Sequence, residues 1–345
     1  MIAVKNQSAF RIIGWTFHHL VWISLWVSIV TVLYYYTDLK EIELPWLPIS
    51  VMGTAVAFYL GFKNNSAYDR MWEARKIWGA IINSSRAWGM YIDGFVSDHF
   101  CEDSKTNEEI QQVKKRLIYR HIAWLYALRI QLLVITPWEH ANQKGMIGVY
   151  GRKIRKKFGV GLVDDEVTKV ELNHYLPQTE YERLINHKNT ATQIVNEQSR
   201  DLASIRKENI IDDFKHMELE KVLYDFYIHQ GKCERIKKFP LPRQYANVSQ
   251  YFVGIFIFCL PFAMSSLFYH LHPSGVWFSI PLSILVCWIY MVMEIVGDYS
   301  ENPFQGMASD IPMLSLCRTI EIDLREMLGE TELPEPIKSK NGILM

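Results

Sequence analysis

Lysine and arginine are missing from three long stretches of this chain, residues 12–39, 41–62 and 244–317; nearly all of them fall between Lys63 and Arg243 or near the two ends. A lysine or arginine at mid-bilayer costs roughly 2.5–3.5 kcal/mol on the insertion scale, so such segregation is what a membrane imposes. Bulk composition conceals it. With 49% hydrophobic and 21% charged residues, the chain averages out like a soluble protein.

Four apolar segments within these stretches are long enough to span a bilayer. The first is about 20–36, rich in Trp, Val, Ile and Leu. The second is about 45–62, and as a helix it covers about 27 Å, just enough to cross. Pro45 and Pro48 suit its start, where no N–H partner is needed. The third, about 251–269, contains Pro261, which membrane helices tolerate. The fourth is about 276–296. A tight turn from His270 to Gly275 makes the third and fourth a hairpin.

The connection 38–44 is acidic apart from Lys40, and 270–275 holds no lysine or arginine. The positive-inside rule therefore puts both termini and the long centre in the cytosol. That centre reads as helical, with apolar residues three and four apart in 108–135 and 180–230 and no strand alternation. The expected fold is an all-α membrane protein with four transmembrane helices per subunit continuing into a large helical cytosolic region. Its parts are an N-terminal region at 1–62, a cytosolic helical domain at 63–243, the hairpin at 244–300 and a cytosolic C-terminal segment at 301–345. The tail beyond about Glu330 is expected to be loose.

Several function classes find no support. Lys plus Arg equals Asp plus Glu at 37 each, so no strongly charged partner surface is implied and no nucleic-acid partner is expected. The basic run 151–157 reads as a solvated face. Five scattered cysteines without C-x-x-C spacing argue against a disulfide frame or structural zinc, and Cys259 and Cys287 read as packing residues. The first apolar segment is too long for a signal core. There is no phosphate loop or nucleophile elbow, so no catalytic residue, metal site or cofactor is assigned. Asp212, Asp213, His216, Glu218 and Glu220 read as a charged helix face rather than a metal site. His18 and His19 are placed at the interface, and Glu294 and Asp298 at a solvated helix end. Arg70, Glu73 and Arg75 are expected to form ion pairs between helices.

The second segment carries small residues at Gly53, Ala55, Ala57 and Gly61, which permit close helix approach. Thr54, Phe58 and Phe62 are four apart and share a face. The helical pattern continues beyond Phe62 through Lys63, Asn64 and Asn65 to Trp78, so one helix leaves the membrane. On an isolated helix, Phe58 and Phe62 would ordinarily pack against lipid or a bundle core. Around an axis shared by several subunits they would form an apolar constriction of the kind that gates by dewetting.

The run from Phe58 to Arg75, FYLGFKNNSAYDRMWEAR, resembles the signature of the bestrophin family, bacterial branch. Glu301-Asn302-Pro303-Phe304 and the stretch from Cys317 to Ile322 add to the likeness, which covers about residues 5–330. The resemblance implies a homopentameric channel in a bacterial inner (plasma) membrane, its second helices lining the axis. By position, the family's hydrophobic neck falls on Thr54, Phe58 and Phe62. Thr54 departs from the larger apolar residue usual there. Asn64 and Asn65 fall at the pore exit. Phe214 falls near the family's second, cytosolic constriction. Animal members bind calcium through an acidic run after the Asn-Pro-Phe motif. Here only Asp310 remains of such a run, whereas calcium takes six to eight oxygens, so no calcium clasp is expected.

The implied function is passive conduction of small monovalent ions, with identical subunits and the lipid bilayer as partners. Anions such as chloride come first by family habit, and sodium or other cations are the alternative. A coupled transporter would favour broken helices and inverted repeats, which the sequence lacks. A non-conducting scaffold or sensor would need no axial pore.

Overall fold

The computed structural model describes residues 1–5, 9–37, 44–99, 101, 105–162 and 172–345. The acidic connection 38–44 lies almost wholly outside the described residues. The described chain is helical: α1 (Ala9–Tyr36), α2 (Trp46–Phe95), α3 (Asn107–Leu133), α4 (Gly145–Phe158), α5 (Gln178–Ile185), α6 (Thr190–Lys207), α7 (Asp213–Lys238), α8 (Arg243–Leu271), α9 (Ser279–Ser300) and α10 (Met313–Met327). Four stretches, Phe10–Tyr36, Trp46–Phe95, Asp213–Leu271 and Pro273–Ser300, hold helices long and apolar enough to cross a membrane. The chain divides into two compact units.

One unit comprises Val4–Arg70 and Pro240–Glu301. It contains α1, the first part of α2, α8 and α9. Its core is aliphatic and aromatic, built around Ile23, Val27, Val56, Leu60, Phe256, Leu260 and Cys287. Its outside is apolar as well, with Leu25, Ile29, Ile255, Phe258, Leu285 and Ile289 all exposed. Large apolar surface of that extent is stable only against lipid or another apolar partner. The buried hydroxyls find one another: Thr31 Oγ1 lies 3.3 Å from Ser265 Oγ, and Ser265 Oγ lies 3.4 Å from Ser279 Oγ. The α8–α9 turn is a 3-10 helix, Pro273–Phe278, capped by the His272 side chain, which accepts from Ser274 N–H.

The other unit comprises Met1–Ala3, Met71–Phe239 and Asn302–Met345. Trp78, Trp88, Trp124, Tyr126 and Phe226 fill its centre. The helix starts follow capping chemistry: Thr106 and Glu109 form a capping box on α3, and Asn189 and Asp212 cap α6 and α7. Several buried charges are paired. Arg120 donates to Glu180 at 2.7 Å and to Asp201 at 2.6 Å, and Lys237 pairs with Glu139. His121 lies among Trp88, Trp124 and Phe226, and burial pushes its imidazole down to about 3, so it is neutral.

The chain beyond Glu330 is not loose. Ile343 and Met345 are buried, Ser315 N–H donates to Met345 O at 2.8 Å, and Ile2 and Ile343 form an antiparallel bridge. Two apolar side chains and a short backbone ladder hold a segment that has no helical or strand periodicity of its own.

Candidate pore-lining face

An α-helix turns about 100° per residue, which sorts the membrane part of α2 into two faces. Val56, Leu60, Lys63 and Ala67 fall on one, and all are buried. Thr54, Phe58, Phe62 and Asn65 fall on the other and are exposed within the protomer. The Phe58 and Phe62 rings are 68% and 72% exposed. The Thr54 hydroxyl donates to Ser50 O, four residues back, at 3.0 Å.

The buried face is held by a row of polar contacts to α9. Tyr290 Oη donates to Gly53 O at 3.0 Å. Lys63 Nζ donates to Glu294 Oε1 at 2.5 Å, with side chains only 1% and 9% exposed. Ser249 Oγ on α8 donates to the same carboxylate oxygen at 3.2 Å. Asn64 Nδ2 donates to Met293 O at 3.1 Å, and a Cβ at Gly297 would collide with Asn64 Oδ1. Residues 290, 293, 294 and 297 share one stripe of α9 by their three- and four-residue spacing. Arg70 Nε donates to Glu301 O at 2.9 Å.

Several expectations change in this light. Glu294 is not at a solvated helix end; it is buried because Lys63 neutralises it. Asn64 and Asn65 are a third of a turn apart, so only Asn65 is on the exposed stripe. Of the small residues, Gly53 allows close approach, to Phe256 and Tyr290, whereas nothing lies within 4 Å of a Cβ at Gly61. Among the expected ion pairs, Glu73 meets Arg235, whereas Arg70 reaches a carbonyl and the Arg75 guanidinium lies 5.8 Å from the Trp72 ring. The Lys63–Glu294 pair was missed. Its signal was present: one lysine flanks the second span and one carboxylate lies late in the fourth, but they are 231 positions apart.

Phe214 is 83% exposed in the first turn of α7, so it is not a core residue. The acidic run on α7 is divided among separate partners: Arg206 for Asp213, Lys221 for Glu218 at 2.6 Å and Ser199 for Glu220 at 2.8 Å. Among the described residues no group of three His, Cys, Asp or Glu side chains could hold a metal ion. The basic run on α4 is partly spent internally, since Arg155 donates to Gln305 O and Leu133 O, both at 2.9 Å.

Asp310 is fully buried, its Oδ2 accepting from Gly306 N–H at 2.8 Å and Met307 N–H at 2.9 Å. Burial pushes its carboxyl up to about 7. It closes a loop in which Gly306 has φ +83°, a conformation glycine adopts without strain.

Comparison with known proteins places this architecture. A family model described as Bacterial/Fungal Bestrophin protein matches residues 6–326. The voltage-dependent anion channel-forming protein YneE of Escherichia coli O157:H7 is 26% identical over 311 residues, covering 90% of this chain and 86% of that protein. The voltage-dependent anion channel-forming protein RSc3414 of Ralstonia nicotianae is 24% identical over 303 residues, covering 88% and 84%. The crystal structure of a bacterial bestrophin homolog from Klebsiella pneumoniae shares the fold, with a TM-score of 0.72 at 20% identity over 92% of this chain and 99% of that one.

Proposed function

Since the chain belongs to the bacterial and fungal bestrophin family, we propose that it is one subunit of a passive anion channel, five copies surrounding a pore lined by α2. The observation that carries this reading is the exposed stripe of Thr54, Phe58, Phe62 and Asn65, opposite the face anchored to α9. Two phenylalanine rings uncovered on the side of α2 opposite its polar contacts to α9 are placed to meet other copies of the chain. Around an axis, those rings form an apolar neck that closes by expelling water. Ions cross down their electrochemical gradient.

The sign of the ion comes from the relatives, which carry anion-channel names. A cation-conducting alternative is favoured by Asp69, exposed on the same stripe two turns beyond Phe62, because carboxylate rings attract cations. We assign the exposed Phe214 to the second, cytosolic constriction. The charge distribution supports an orientation with both termini, 63–243 and 301–345 in the cytosol, and the family likeness favours a bacterial inner membrane.

The test is a reversal-potential measurement on purified protein in planar bilayers under a salt gradient. Current reversing at the chloride potential is expected. Reversal at the sodium potential selects the cation reading, and absence of current selects a scaffold. Mass determination in detergent is expected to give five copies.

A further inference from the structure

We infer that the buried Lys63–Glu294 pair is a positioning device that fixes the rotation of α2 and so holds the Phe58 and Phe62 rings in the neck. The inference rests on the channel reading above.

Most of what α2 buries in its membrane unit is apolar: Ile49, Val56 and Leu60 join a core of Val, Ile, Leu, Phe and Met. Apolar contact is non-directional, and such cores accept alternative packings at small cost. A charge is different. Lys63 follows Phe62 directly, so the two side chains point about 100° apart. Any rotation of α2 large enough to swing Phe62 off its present face drags the Lys63 ammonium off Glu294. That leaves two unpaired charges in a low-dielectric interior, a far greater penalty than repacking aliphatic side chains. The neighbouring contacts reinforce the same setting, since Gly53, Lys63 and Asn64 all engage one stripe of α9. Buried ion pairs add little net stability compared with well-packed apolar side chains. What this one supplies is choice among rotations.

The test replaces the pair as a unit. Lys63→Met/Glu294→Leu removes both charges while keeping similar volume, and Lys63→Glu/Glu294→Lys swaps them. Purified, reconstituted protein is recorded at single-channel level. The apolar pair is expected to assemble and to raise resting open probability several-fold, leaving single-channel conductance and reversal potential unchanged. The swapped pair is expected to return open probability towards wild type. Wild-type open probability in the apolar pair overturns the inference while leaving the channel reading intact. An apolar pair that fails to assemble also overturns it, because the charges then serve folding. A wild-type protein that passes no current overturns the channel reading, and the inference with it.

Discussion

Phe62 and Lys63 are consecutive, yet one is 72% exposed and the other is buried against Glu294. That single step divides α2 into a face fixed by its own subunit and a face that the described residues leave mostly uncovered.

Removing the uncovered rings should open the proposed neck. Phe58→Ala and Phe62→Ala are each expected to raise resting current several-fold, with a larger effect when combined, because a wider constriction dewets less readily. Resting current in planar bilayers, normalised to reconstituted protein, checks this. Unchanged current in both variants would remove these rings from the pore.

Breaking the buried pair one-sidedly should destabilise the fold. Lys237→Met leaves Glu139 buried without its cation and is expected to cost about 3–5 kcal/mol. Glu139→Gln in the same chain should recover most of that loss, since the amide oxygen can still accept from Thr136 N–H, which Glu139 Oε2 does at 3.1 Å. Thermal melting in detergent compares the single and double variants.

Gly297→Ala should loosen the α2–α9 contact, because its Cβ would collide with Asn64 Oδ1. The expected cost is about 1–3 kcal/mol, typical of overpacking. Gly254→Ala in α8 is the control: nothing lies within 4 Å of its Cβ, and its melting temperature should stay at or slightly above wild type.

Stability should also depend on pH through Asp310. Its folded pKa is raised to about 7 from an ordinary 3.8, so between these values the folded protein holds the extra proton. Stability contributed by this group is therefore complete at low pH and is lost as pH rises towards 7, by at most about 1.4 kcal/mol per unit. The α-amino group of Met1 opposes this and Glu139 adds to it. Asp310→Asn should flatten the dependence of melting temperature on pH between about 4 and 7, and an unaltered slope would assign the dependence elsewhere.

The spans could be read from the sequence because a bilayer penalises lysine and arginine one residue at a time, with no reference to tertiary packing. The exposed stripe of α2 was legible for a related reason: four-residue spacing is local. What escaped was long-range. Glu294 looked like the end of a helix because its partner, Lys63, is supplied by a helix more than two hundred residues earlier. The chain end looked loose because Ile343 and Met345 are ordered by Ile2 and Ser315, not by any pattern in their own segment. Asn64 and Asn65 looked equivalent by adjacency, and one step of helix separates them.

Thr54 departs from a purely greasy neck less than its name suggests, and in one direction only. Its hydroxyl hydrogen is committed to Ser50 O, so on the proposed axis it has no proton to give a passing anion. What it can still offer is oxygen lone pairs, which would solvate a cation. Chloride would find no hydrogen-bond donor from Thr54 at this level, so on the anion reading any preference for chloride would have to arise elsewhere along the path.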